Sequence, residues 1–397
     1  MPLQAYQPGW AFRRALRKKA ARWQRQLLVS PAQLGAIEAA YPLDYYRPAW
    51  PLRVGIFLFT WLGLGLGGGS FSFLFISSSP FIAGALFCLL CFGALELMIK
   101  EHRFYHCGAD NALLYSGLSA AVALVFYAFD KAGSQYTNFS LGNGALVLPL
   151  LLVLALLVCA VLRYADALVT VAAFATLLLL VVIIGAQSSV GLALLLFLVM
   201  STAAGSLALY RALARRVAGT ALADYYATSL LTFKVLALLG VYFGGNYLVV
   251  REGNAALHRD FISQQIPFAP VFYAFTAGIP LLYLAVGLRR ADRPTLWLGF
   301  LTLAFSLYTL RHYRSLLPPE VAATLAGAVL TVLAGALLRA LRPARFGLTS
   351  LPDDEPRHFN LENLIQAQTA HAPAAPTTAG FEFGGGQSGG GGATGQY

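Results

Sequence analysis

Ten blocks of apolar residues recur along this chain, at 54–76, 81–99, 112–129, 145–162, 167–184, 190–210, 230–250, 268–288, 295–310 and 321–338. A hydrocarbon core of about 30 Å takes about 20 residues of helix to cross, so each block is long enough, or nearly so, to span a bilayer. Stretches such as 146–162 and 177–184 are apolar throughout. A barrel strand would alternate apolar and polar residues, which excludes a β-barrel and leaves helices. The expected fold is therefore all-α, a polytopic transmembrane bundle of about ten spans, with 295–310 the shortest of them.

Composition agrees with this pattern. Hydrophobic residues make up 58% of the chain, charged residues 11%, and the mean hydropathy is +0.66. So few charges cannot cover the surface of a soluble protein of this length, which excludes a soluble enzyme, a nucleic-acid-binding module and a disordered chain. The net charge of +11 matters here through its placement. Lys and Arg are retained on the cytoplasmic side of short loops. With ten spans both termini share one side, and that side holds 22 basic residues: nine before the first span (Arg13, Arg14, Arg17, Lys18, Lys19, Arg22, Arg25, Arg47, Arg53), then Lys100, Arg103, Arg163, Arg211, Arg215, Arg216, Arg289, Arg290, Arg293, Arg339, Arg342, Arg345 and Arg357. The other side holds five: Lys131, Arg251, Arg259, Arg311 and Arg314. The ratio orients both termini to the cytoplasm of a bacterial inner membrane.

Three regions follow: a basic, amphipathic cytosolic region at 1–52, the ten-span domain at 53–339 and a tail at 340–397. In the first, Phe12, Leu16, Ala20, Trp23 and Leu27 recur at helical spacing opposite a basic face. Such a helix is expected to lie on anionic inner-leaflet lipids, each Lys or Arg contributing about 1 kcal/mol. Ser30, Pro31 and Gln33 then read as a capping box with proline at the first helical position, opening a short helix that ends near Tyr41 and Pro42. Neither a secretory nor a twin-arginine signal is present, because no short apolar segment follows the basic stretch. The tail is polar, then Pro/Ala-rich, then glycine-rich, and is expected to be disordered apart from a short helix near 361–368, with room for a protein partner.

The ending from Phe381, with its Phe-Gly-Gly-Gly and Gly-Gly-Gly-Gly-Ala runs, resembles the tails of bacterial membrane-anchored proteins, including those that carry a TPM domain. No TPM domain is present here. The short helical region ahead of many spans is similar to that of uncharacterised bacterial multispan proteins. The resemblance transfers no catalytic residue.

Polar residues near the spans supply the candidate chemistry. Glu96, Lys100 and Arg103 would share a face if their helix continued, and His102, His106 and Asp110 follow in the next loop. Glu96 is either an interface carboxylate neutralised by Lys100 or a proton or cation site, since an ionisable group in a membrane is by default a functional candidate. His102 and His106 are spaced to share a helical face, but no His-Glu-x-x-His or paired Cys motif accompanies them, so no metal is expected. Cys88, Cys91 and Cys159 read as packing residues. A second, external cluster joins Arg251, Asp260, Arg311, Arg314 and Glu320, either an outer vestibule for an anion or an ion-paired lid. Gly65 and Gly69 in the first span, and Gly327 and Gly335 in the tenth, sit four and eight residues apart and are expected to let helices approach closely. The small residues at 63–72 and 201–206 also suggest interrupted helices, as in inverted-repeat carriers.

No Walker loop, dinucleotide fingerprint or nucleophile elbow occurs. No cofactor and no nucleic-acid partner is expected. Two function classes lead: a secondary transporter or channel-like carrier of a small solute or ion, and a membrane scaffold or partner-binding protein. An intramembrane lipid- or sugar-modifying enzyme is third.

Overall fold

A computed structural model describes residues 3–76, 79–131, 143–258 and 268–313, with isolated positions at 263, 265 and between 321 and 342; of the side chains at 69–76 and 193 nothing is stated. The described chain is helical and contains no strand, only one isolated bridge between Tyr46 and Phe104. In order the helices are α1 (Pro8–Arg25), α2 (Pro31–Ala40), α3 (Trp50–Ile76), α4 (Pro80–Lys100), α5 (Ala109–Lys131), α6 (Val147–Tyr164), α7 (Ala167–Gly185), α8 (Ser189–Val217), α9 (Ala221–Tyr225), α10 (Ala227–Gly245), α11 (Tyr247–His258), α12 (Ala269–Arg289) and α13 (Arg293–Tyr313). Compact packing joins Met1–Leu351 into one unit, and the tail at Pro352–Tyr397 lies outside the described residues.

Eight of these helices are long and apolar enough to cross a membrane: α3, α4, α5, α6 with its preceding 3-10 turn, α7, α8, α10 and α12. The protein is thus a helical bundle built for a bilayer. The ninth apolar block forms α13, a 21-residue helix that falls outside these eight, and most of the tenth lies outside the described residues. The composition of α13 explains its lower hydropathy. Thr295, Thr302, Ser306 and Thr309 are buried against the bundle, whereas Trp297, Leu301 and Tyr308 are exposed. Hydroxyls facing inward and apolar side chains facing outward suit a lipid-facing helix, in which interhelical contacts use small polar groups.

Local sequence sets most helix ends. The Ser30 hydroxyl accepts from the Gln33 amide at 3.2 Å while the Gln33 side chain accepts from the Ser30 amide at 2.9 Å, the reciprocal box anticipated from the sequence. Asp166 caps α7 by accepting from Val169 N at 3.0 Å, and Ser188 caps α8 through Gly191 N at 3.0 Å. Each satisfies an amide that the first helical turn leaves without an intrahelical acceptor.

Several expectations about the helices are corrected. Neither 63–72 nor 201–206 interrupts a helix: α3 and α8 are continuous through them. In α8 the Thr202 and Ser206 hydroxyls donate to the carbonyls of Leu198 and Thr202, one turn back, so these polar groups are satisfied within the helix. The break occurs instead inside the seventh block, at Asn246, whose extended backbone separates α10 from α11. Its buried side chain accepts from the amides of Leu248 and Val249 and donates to Tyr242 Oη and Thr309 Oγ1, so the break is held by four partners. Close glycine packing is likewise found elsewhere. Among the described residues nothing lies within 4 Å of a Cβ added at Gly65, Gly327 or Gly335, whereas at Gly240, Gly244 and Gly287 it would press on Ala203, Met200 and Leu296. The side-chain surroundings of Gly69 lie outside the described residues.

The N-terminal region is part of the bundle rather than an arm beside it. Tyr6 and Trp10 are 2% exposed and share one core with Leu95, Ile99, Tyr105, Leu114, Tyr164 and Tyr225. Ala5 N donates to Arg163 O at 2.8 Å, tying the segment before α1 to the end of α6. Of the apolar positions expected to face lipid, Ala20 is buried by protein, while Phe12, Trp23 and Leu27 remain exposed. At the other half of the bundle, Lys234 of α10 donates to Asp292 in the turn between α12 and α13, where Thr295 Oγ1 also donates at 2.6 Å. Partial burial would raise the Asp292 carboxyl, but those two donors outweigh it and hold it below the usual range.

Candidate anion site

The loop between α4 and α5 determines how this end of the bundle is built. The α4 helix ends at Lys100, and both Arg103 and His106 adopt left-handed backbone, with φ of 52° and 48°. Segment 41–49 runs alongside: Tyr46 N donates to Arg103 O at 3.0 Å and Tyr105 N donates to Tyr46 O at 3.2 Å. The expected helical continuation therefore fails. Arg103 turns away from Glu96 to Asp44, at 3.5 Å, which also takes Arg13 at 2.7 Å. His102 is exposed against Phe104, and His106 packs on Tyr6 and Tyr105, so the two imidazoles do not share a helical face.

Asp110 is the centre of that loop. It is fully buried in the first turn of α5, and its carboxylate accepts from Tyr6 Oη (2.8 Å) and from the amides of His106 (2.7 Å), Cys107 (3.0 Å), Gly108 (3.1 Å) and Asn111 (3.0 Å). Such a nest of amides at a helix N-terminus favours a negative charge without a cation beside it. Burial also pushes the Cys107 thiol up to about 12 and the Tyr6 hydroxyl above its ordinary range, and depresses His106. The neutral forms of all three are the stable ones here.

Glu96 keeps the expected ion pair with Lys100 and gains closer partners from α6. Arg163 of α6 donates to Glu96 Oε1 through Nε at 2.8 Å and Nη2 at 2.6 Å, and Tyr164 Oη donates to the same oxygen at 2.9 Å. Lys100 stands at 3.8 Å from Oε2. A carboxylate so held joins α4 to α6. Because it is 21% exposed, Glu96→Gln is expected to cost about 1–2 kcal/mol, less than a fully buried pair would lose. Thermal unfolding in detergent tests this, and an unchanged midpoint would contradict the role as a tie.

Beside the Asp110 loop opens a cleft of about 700 Å³. One wall is α1, with Ala11, Arg14 and Lys18; a second is the start of α3 and the segment before it, with Arg47, Trp50, Arg53 and Phe57. The floor carries His106, Gly108, Asn111, Tyr115 and Asp166, and Asp224 and Tyr225 close the far side. Asp166 is already occupied, since Asn111 Nδ2 (2.9 Å) and Tyr115 Oη (3.0 Å) donate to it besides its capping bond. The four cations are not. None of Arg14, Lys18, Arg47 and Arg53 forms an ion pair among the described residues.

Two of their donors are also buried without a partner: Arg47 Nη1 and Arg53 Nε. A buried guanidinium N–H with no acceptor costs free energy that an anionic oxygen would recover. Burial lowers Arg47 to about 10, and Arg14 and then Arg53 push it the same way against the opposing effect of Tyr105, over whose ring Arg47 lies at 5.2 Å. The cleft therefore gathers four basic side chains, two of which keep a buried donor without an acceptor, a chemistry that suits a phosphate or carboxylate. Sequence reading counted Arg47 and Arg53 only as topogenic charges. The signal that separates them from the other basic residues is their position on either side of Pro48 at the entry to the first span.

The external cluster is only partly described. Arg251 lies over the Tyr313 ring at 4.6 Å and donates to Ser263 O, and Tyr313 Oη donates to Glu252 at 2.5 Å, which ties α11 to α13. Arg311 is exposed, and Asp260, Arg314 and Glu320 lie outside the described residues. Among the described residues no group of three His, Cys, Asp or Glu side chains is placed to hold a metal. No family model, no curated protein and no solved structure matches this chain.

Proposed function

We propose that the chain is a multi-pass protein of a bacterial inner membrane, with ten spans and both termini cytoplasmic, that binds an anionic ligand at its cytoplasmic end and serves as a secondary carrier for it. The observation that carries the anion reading is the pair of buried, unpartnered guanidinium donors of Arg47 and Arg53 in a cleft with Arg14 and Lys18. The 22 to 5 distribution of basic residues supports the orientation. The scaffold reading loses ground, because the basic helix meant to reach a partner forms a wall of the cleft.

Binding of glycerol 3-phosphate, measured by calorimetry on purified protein with glycerol as the neutral comparison, tests the site. Each of Arg47→Gln and Arg53→Gln is expected to weaken it about tenfold to a hundredfold, the worth of one charge-assisted hydrogen bond. Arg216→Gln, remote from the cleft, should leave it unchanged. Equal heats for glycerol and glycerol 3-phosphate would overturn the anion reading. For topology, reporter fusions should place residue 104 inside and residues 136 and 256 outside, and a cytoplasmic signal at 256 would sink the ten-span arrangement.

A further inference from the structure

A second cavity borders the basic cleft. Its volume is about 470 Å³, and it lies between α3, α4 and α5, lined among others by Trp61, Gly65, Leu66, Phe87 and Ser119. The two cavities share Tyr115, whose hydroxyl is fixed by Asn111 and Asp166, so its ring stands at their junction. Because α3 and α5 both start at the cleft end and run in the same direction, the second cavity is the deeper one. The twelve residues from Arg53 to Gly65 rise about 18 Å, close to one leaflet of hydrocarbon.

The deeper cavity is open sideways. Among the described candidate spans α3 is the least covered, with no buried residue between Trp50 and Gly68, and Trp61, Leu62 and Leu66 are all more than half exposed. Apart from the hydroxyls of Tyr115, Ser116 and Ser119 its lining is apolar, with no charged side chain. A hydrophilic anion finds nothing to hold it there, whereas an acyl chain meets apolar walls kept apart by small side chains at Gly65, Ser119 and Ala120.

We propose that cleft and groove form one site for an anionic phospholipid, its headgroup phosphate against Arg47 and Arg53 and one acyl chain running past Tyr115 along α3 into the groove. The inference rests on the anion reading above and names the ligand class. Charge complementarity selects the headgroup, and the adjacency of the two cavities across the Tyr115 ring selects a molecule with a tail.

The test uses the full chain reconstituted in nanodiscs with phosphatidic acid carrying a photoactivatable diazirine on one acyl chain, and separately with phosphatidylcholine carrying the same label. Labelling by phosphatidic acid is expected to concentrate on peptides covering residues 61–66 and 115–120, and to fall at least about fivefold in Arg47→Gln/Arg53→Gln, where two charge-assisted contacts are removed. Ser119→Phe should fill the groove and abolish that enrichment, while leaving calorimetric binding of glycerol 3-phosphate intact. If both lipids label the groove alike and independently of the arginines while glycerol 3-phosphate still binds, the ligand is a free anion and the lipid inference is overturned. If glycerol 3-phosphate also fails to bind, the anion reading falls with it.

Discussion

Asp110→Ala is expected to lower the thermal unfolding midpoint of the detergent-solubilised protein by on the order of 10 °C, the largest effect of any single side-chain truncation at this end of the bundle. The carboxylate is fully buried and accepts from four backbone amides and from Tyr6 Oη. Alanine leaves all five donors without acceptors in a site that water does not reach, and breaking such a buried charged network costs about 3–5 kcal/mol. Asparagine is a poor rescue, because its NH₂ group would face amide donors. Tyr6→Phe removes one donor while the carboxylate keeps its four amides, and should cost only about 1 kcal/mol. Asp130→Ala, at the exposed far end of the same helix, is the control. A midpoint within about 2 °C of wild type for Asp110→Ala would show that the loop is not held by this carboxylate.

Gly108→Val is expected to prise α3 from the loop and destroy the cleft. Gly108 has φ of +112°, a conformation that residues with a Cβ rarely adopt. A Cβ there would stand 2.3 Å from Arg53 O and 3.0 Å from Phe57 N. Both are backbone atoms of α3, so no rotamer change relieves the clash. Strain of about 1–3 kcal/mol and a similar overpacking term act together, so the cost is about 2–6 kcal/mol. Cys107 reports the outcome directly, since it is fully buried in the folded protein and should gain maleimide labelling in the variant. Gly55→Ala, where a Cβ on the same helix would meet nothing within 4 Å, should leave Cys107 protected. Protection of Cys107 in Gly108→Val equal to wild type would refute the account of how α3 is docked.

Legibility from sequence followed the range of the interaction. The capping box at Ser30 and Gln33 was readable because both partners lie within one helical turn. The apolar blocks were readable because the bilayer imposes a length on each helix by itself. Interruptions at 63–72 and 201–206 were misjudged, since glycine and serine in an apolar setting keep a helix when their polar groups are satisfied one turn back. The break at Asn246 was missed because it depends on Thr309, 63 residues away, as well as on local caps.

Of the candidate site, Glu96, His106 and Asp110 were singled out as ionisable residues near a span, and of the neighbours expected to pair with Glu96 the structure keeps Lys100 but not Arg103. The nearer partner of Glu96 is Arg163, 67 residues on, and the partners of Asp110 include Tyr6, 104 residues back. Arg47 and Arg53 carried only their place around Pro48 at the entry to the first span, which does not by itself show that their donors lack acceptors.

The sequence by itself determined that this protein is a bundle of apolar helices made for a membrane, with most of its basic charge gathered before and between spans at one end, because hydropathy and helix capping act over about 20 residues or fewer. The tertiary structure alone decided which of those charges are neutralised and which line a cleft with buried donors that lack an acceptor. That outcome depends on how α1, α3, α5 and α7 converge around the Asp110 loop, and a buried donor or acceptor must be satisfied by whatever residue the packing brings to it, however distant in the chain.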